Sequence, residues 1–263
     1  MTFLFGVSSA MMIIAAPFVG CFGANAVRRS LEGKGFLFER SCCDACGRRL
    51  ELRDLIPVLS WLFQGGRCRA CSAPISLLYP AVEAGFLLIA LWAAYAQPDL
   101  LVPSLLLGWV LLILIAFDVL AFILPNALTL SLGLGGLLLA ASEGYGELRE
   151  SALGLIAGGA SLLLVRVLYE ATRGGEGLGL GDIKLFAAAG AWVKLEGLPS
   201  VLLIGSSLGL LYALFAFRRA LRDAALKKVP LGAGLCGGFW LTWVHGPVFD
   251  WSLGAIFSPG TSS

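Results

Sequence analysis

The sequence predicts an all-α polytopic membrane protein of about eight transmembrane helices, with a small cytoplasmic zinc-ribbon-like domain between helices one and two. Three observations carry this expectation. The 263 residues are 58% hydrophobic and only 14% charged, against about 25% charge in a soluble domain. The runs 100–117, 119–142 and 200–217 contain no Asp, Glu, Lys or Arg, and roughly 20 apolar residues suffice to cross a bilayer. Nine Lys and Arg fall within 28–69 and five within 218–228. Cytoplasmic loops are enriched in such residues, so both blocks should face the cytoplasm. The stretches 96–99 and 142–150 are acidic or nearly neutral, as outer loops should be.

Taken in order, the first helix covers about 3–27. "FVGC" (18–21) has the look of a cleavage site, but no basic region precedes the apolar stretch, and Arg28 and Arg29 follow it. That polarity is wrong for a secretory signal, so the helix is read as retained, with its N-terminus outside. The polar segment 28–76 holds five of the seven cysteines. Residues 77–263 then carry the remaining helices, at about 77–96, 100–117, after 126, 151–170, 183–196, 199–217 and 231–257. No internal repeat is evident. Counting spans from the basic blocks brings Asp118 and the loop before residue 183 to the cytoplasmic level.

"CDAC" (43–46) and "CRAC" (68–71) form C-x2-C-x21-C-x2-C. Each pair suits a tight knuckle whose thiolates grip one side of a tetrahedral zinc. The basic surroundings place these thiols in the reducing cytoplasm, where structural disulfides are rare, and Arg48, Arg67 and Arg69 should favour the thiolate. Cys43, Cys46, Cys68 and Cys71 are therefore the expected ligands of a structural zinc. Cys42 is a spare thiol beside Cys43, and Cys21 and Cys236 read as small buried hydrophobes. Between the knuckles, 52–66 supplies only a modest core, which metal binding would supplement.

Two aspartates border apolar runs. Asp118 follows 100–117, and Asp182 stands in "GLGLGDIKLF" (177–186). Singly, Asp118 reads equally well as a helix end, and Asp182 as the N-cap of the helix from 183. Jointly, two carboxylates at one membrane level suggest a pair sharing one proton, able to activate water and polarise a carbonyl. Gly177, Gly179 and Gly181 would permit positive φ and close backbone approach. Lys184 is either a phosphate or substrate contact or a snorkelling interfacial cation. Glu83 is read as the partner of a basic residue at the inner face, with a substrate or methyl-transfer contact as the alternative. His245, the single histidine, is read as structural, and the block 218–228 as a topology determinant touching anionic lipid.

These residues together resemble the type IV prepilin peptidases, the GxGD-type bacterial membrane aspartic proteases. The likeness runs through "CDACGRRLELRDLIPVLSWLFQGGRCRACSAPISLLYPAVE" (43–83), "FDVLAFILPNALTL" (117–130), "GEGLGLGDIKLFAAAG" (175–190) and "VPLGAGL" (229–235). It implies that Asp118 and Asp182 are the catalytic pair; Gly179, Gly181 and Lys184 are the residues expected to support the loop or the substrate there. It implies type IV prepilins or type II secretion pseudopilins as partners, cut at the cytoplasmic face of the inner membrane. It also implies methylation of the new N-terminus with S-adenosylmethionine. No nucleic acid is expected as a partner. The chain departs from the family in its first helix, where "GCFGANAVRRSLEG" (20–33) shifts the usual Asn by one position and lacks Arg-Leu-Pro. This departure bears on methylation more than on proteolysis. On the residues alone, a non-enzymatic zinc-knuckle adaptor and a proton-relay transporter are the rival readings.

Overall fold

The structure is a computed structural model describing residues 2–33, 42–43, 45–174, 177–220 and 230–248. Among these, every regular element is helical: α1 (Thr2–Leu31), α2 (Leu59–Phe63), α3 (Leu78–Ala96), α4 (Leu101–Ala121), α5 (Asn126–Glu143), α6 (Tyr145–Arg173), α7 (Leu180–Ala220) and α8 (Leu231–His245). Five of them, α1, α3, α4, α6 and α7, are long and apolar enough to cross a membrane. The protein is a multi-pass membrane protein. α7 is broken at Lys194, whose φ of 58° and ψ of −170° are not helical. Counting its two limbs separately and setting aside the short α2, the described chain has eight long helical rods, as the sequence predicts.

Several bounds differ from the expected ones. α4 runs one turn past Asp118 and stops at Phe122, which is left-handed (φ 55°, ψ 37°) and donates its amide to the Asp118 carbonyl. Val119, Leu120 and Ala121 contain no breaker, so nothing ends the helix at the aspartate. α6 begins at Tyr145, inside the expected outer loop, since Glu147 favours a helix N-terminus. The upstream limb of α7 begins at Leu180, three residues early. α8 closes at His245 before Gly246 (φ 82°). The expected span from 231 to 257 and the basic block at 218–228 lie partly outside the described residues.

The chain divides into two compact units, Met1–Phe122 and Ile123–Ser263. In the first, α1 packs on α3, and α3 on α4. Phe86 of α3 stacks on Trp109 of α4 with ring centroids 5.2 Å apart, and the indole N–H donates to the Phe86 carbonyl at 3.2 Å. In the second unit α7 is the hub, packed against α5, α6 and α8. Small residues permit this. A Cβ on Gly154 of α6 would lie 2.2 Å from the Gly190 carbonyl oxygen of α7, and one on Gly190 only 2.1 Å from the Gly154 oxygen. Membrane helices associate by such close approach, because lipid tails provide no hydrophobic drive between them. Trp192 donates its indole N–H to the Leu132 carbonyl of α5 at 2.8 Å and meets Trp243 of α8 edge-on. At the break, Lys194 pairs with Glu147 and with Glu150 (2.9 Å) of α6.

Gly154→Val should force α6 from α7 and destabilise the fold by about 3 kcal/mol, the upper range for overpacking. Thermal unfolding in detergent measures this, with Gly146→Ala, a site with open space around it, expected to change little.

Candidate functional site

The four cysteines converge. Their Sγ atoms all lie within 4.8 Å of one another, and Cys43 and Cys71 are 3.8 Å apart. The convergence comes from two matching knuckles. In the first, the Cys43 amide donates to the Arg48 carbonyl and the Gly47 amide to the Cys43 carbonyl, both at 2.8 Å. In the second, the Cys68 amide donates to Ala73 and the Ser72 amide to Cys68, both at 2.9 Å. Single antiparallel bridges, Cys42 to Arg49 and Arg67 to Pro74, close the two hairpins. The described residues of 42–49 thus repeat the backbone pattern of 67–74. The sequence hides it, since only the C-x-A-C core is shared. The turn residue is left-handed in both, Gly47 at φ 69° and Ser72 at φ 57°.

A metal bound by thiolates at about 2.3 Å in a tetrahedron has sulfurs about 3.8 Å apart, the separation of Cys43 and Cys71. The donor set therefore fits a four-thiolate metal ion with no coordination position left open. The Cys68 thiol is brought down to about 6 by the amides of Cys71 and Ala70. Two of the three arginines expected to do this are engaged elsewhere: Arg48 with Glu51 (2.8 Å) and Arg69 with Asp54 (3.2 Å). Cys42 is exposed and outside the cluster, while Cys236 is fully buried.

Asp118 lies in the last turn and a half of α4 and is only 6% exposed. Asp182 is half-buried in the first turn of α7. It is not the N-cap, because the helix begins at Leu180; the cap position falls to Gly179. Its carboxylate folds back so far that a Cβ on Gly179 would come within 3.0 Å of Oδ2. A Cβ on Gly181 would come within 2.9 Å of the Leu124 Cβ. Gly177, Gly179 and Gly181 all keep ordinary φ. Their role here is close approach; the positive φ expected of them is absent.

Lys184 donates to Asn126 Oδ1 at 2.8 Å, tying the start of α7 to the start of α5. Arg166, on α6, donates to the Leu178 carbonyl at 3.0 Å and pairs with Glu170 at 2.7 Å, holding the loop before Asp182 from the other side. Neither Asn126 nor Arg166 stands out as a site residue in the sequence. A lone arginine in the apolar "SLLLVRVLYE" was the available signal. Glu83, 6% exposed in α3, accepts the Val58 amide at 2.7 Å in place of the expected basic partner.

A model of the Bacterial Peptidase A24 N-terminal domain matches residues 14–97, and one of the Type IV leader peptidase family matches 105–214. The chain belongs to the Type IV leader peptidase family. It is 37% identical over 232 residues to the prepilin leader peptidase/N-methyltransferase of Aeromonas salmonicida strain A449, covering 86% of this chain and 78% of that one. It is 38% identical over 210 residues to the Aeromonas hydrophila protein of the same name (79% and 72% covered), and 41% over 177 residues to that of Klebsiella pneumoniae (66% and 78%). No solved structure matches the chain. The first family match spans all four cysteines and Glu83, and the second spans Asp118, Asp182, Arg166 and Lys184.

A left-handed conformation costs an L-residue about 1–2 kcal/mol relative to glycine. Ser72→Gly should therefore stabilise the second knuckle by about 1 kcal/mol, read as slower loss of bound metal to a chelator. Arg166→Met should loosen the loop and raise proteolytic nicking between 174 and 180, with α6 and α7 still packed.

Proposed function

We propose that the chain cleaves the leader from type IV prepilins or type II secretion pseudopilins, using Asp118 and Asp182. The observation that carries this reading is a carboxylate buried to 6% exposure at the end of an apolar span. A charge at membrane depth is costly and is retained where it works. The second carboxylate, at the N-terminus of α7, is backed by Gly179 and Gly181 and braced by Lys184 and Arg166.

In this mechanism the two carboxyls hold one proton between them. The ionised member takes a proton from water, whose oxygen attacks the scissile carbonyl carbon. The protonated member hydrogen-bonds the carbonyl oxygen as it gains charge. When the tetrahedral intermediate collapses, the carbon–nitrogen bond breaks and a proton passes to the leaving amine. The chemistry needs neither a nucleophilic side chain nor an open metal position.

Cleavage is assigned to the cytoplasmic side of the inner membrane, where the basic segment 28–69 and the cysteine cluster would also lie. The functional division we propose is a first helix at 1–27, a tetra-cysteine domain at 28–76 and a peptidase domain at 77–263. Cys43, Cys46, Cys68 and Cys71 would hold zinc, whose chemistry here is to fix the domain's fold. The relatives' names support a second activity, methylation of the new N-terminal amine with S-adenosylmethionine as the methyl source; none of the described residues is assigned to the methyl donor.

Asp118→Asn and Asp182→Asn should each lower prepilin cleavage by about 10²–10⁴-fold, the range for loss of a general acid or base. Either variant cutting at the wild-type rate sinks the pair and revives the adaptor reading. The purified protein should carry about one zinc per chain, and the Cys43→Ser/Cys68→Ser variant should lose it. Metal retained in that variant would overturn the ligand assignment.

A further inference from the structure

The segment between the two knuckles turns its apolar side chains outward. α2 buries none of its residues. Leu59 is 51% exposed, Leu62 58% and Phe63 83%, and Ile56 just before them is exposed too. Within α2, Trp61 is the apolar residue that turns in, half-buried, donating its indole N–H to the Ile75 carbonyl at 3.2 Å while its ring blocks the space beside Gly66; before the helix, Pro57 is buried and Leu55 and Val58 are half-buried. The polar groups are engaged with one another: Gln64 donates to Asp54 Oδ1 at 3.3 Å, and Arg69 pairs with the same oxygen. A small water-soluble domain would do the reverse. A contiguous exposed apolar patch marks a surface that meets something else.

What it meets follows from where α2 is held. The Val58 amide donates to Glu83 Oε2 at 2.7 Å. Glu83 is the sixth residue of α3, about 7 Å along its axis from the first, and helical side chains lean toward the N-terminus. Val58 is therefore level with the first turns of a membrane-spanning helix, and α2 starts at the next residue. Val58 itself sits at φ 61° and ψ −51°, a conformation that a β-branched residue keeps only where its surroundings over-determine it. That strain fixes the direction in which α2 departs. Leu77, immediately before α3, is a further exposed apolar side chain at the start of the span. Arg53, bridged to Glu51 at 2.8 Å yet still 59% exposed, precedes α2, and exposed Arg67 follows it. Basic residues flanking an apolar face complement anionic headgroups.

We propose that α2 is a membrane-surface wedge, with Leu59, Leu62 and Phe63 inserted among lipid headgroups beside the start of α3. At five residues it is far too short to span, and an apolar face with basic flanks lies in the plane of the interface. The bond from Val58 to Glu83 sets its depth. The cysteine domain thus rests on the bilayer through an apolar foot, in addition to its two covalent connections.

The test uses the full-length protein in nanodiscs of phosphatidylethanolamine and phosphatidylglycerol. p-Benzoylphenylalanine is placed at Phe63, at Leu62 in a second sample, and at Glu51 as the exposed polar reference; metal content is measured on each to establish an intact knuckle. After irradiation and digestion, the peptides carrying positions 62 and 63 should show phospholipid-mass adducts several-fold above the Glu51 sample. A lipid yield at both positions no higher than at Glu51 overturns the proposal. So does a dominant adduct to a second copy of the chain or, when it is added, to a prepilin.

Discussion

Inside a bilayer a polar side chain has no water to turn to, and an unpaired group there costs several kcal/mol. This chain meets that constraint largely with its own backbone carbonyls and amides. Glu83 accepts the Val58 amide. Arg166 reaches the Leu178 carbonyl. Trp109 and Trp192 donate to carbonyls on neighbouring helices, at Phe86 and Leu132. Each bond spans at least 12 residues, so each fixes one segment against another. The constraint therefore also sets position: Glu83 and Arg166, charged residues within apolar helices, each hold a distant segment in register.

The loop before Asp182 illustrates this. It is gripped by Arg166 from α6, while Lys184 ties the following turn to Asn126. Between these ties the carboxylate lies over Gly179, and Gly181 lies against Leu124. A side chain at either glycine would move the aspartate or the helix that carries it. The G-x-G-D pattern is therefore steric here. Its glycines hold ordinary backbone angles and serve by having nothing at Cβ.

Much of this was legible in the sequence because it depends on local spacing or on composition. The C-x2-C pairs announced the cysteine cluster, and the uncharged runs announced the spans. The remainder depended on tertiary pairing. Nothing in the neighbourhood of Glu83 pointed to the amide of Val58, 25 residues away, and the expected basic partner was wrong because charge alone was weighed. Helix ends were underestimated where polar residues continue a helix, as at Glu147, or where no breaker follows an aspartate, as at Asp118. Asp182 reads as a cap candidate because glycines precede it. Helix formation reached back to Leu180 because α5 and α6 brace that turn.

The cysteine cluster and the membrane helices are joined by a short physical path. The second knuckle's hairpin continues past Arg67 and Pro74 to the next residues, where the Ile75 amide donates to Gly66 at 2.7 Å. Gly66 in turn donates to the Trp61 carbonyl at 2.9 Å, and the Trp61 ring fills the space that a side chain at 66 would need. One turn earlier is Val58, strained and bound to Glu83. The four sulfurs close this path by joining residues 43–46 to 68–71, which otherwise share no regular secondary structure. With a metal in place, the knuckles fix Gly66, Gly66 fixes Trp61, and Val58 is held where its amide meets the buried carboxylate. Without the cross-link, a left-handed valine has little reason to persist, and Glu83 would lose its amide at membrane depth. A metal held by the four thiolates would thus govern the environment of a buried carboxylate in a transmembrane helix while performing no chemistry itself.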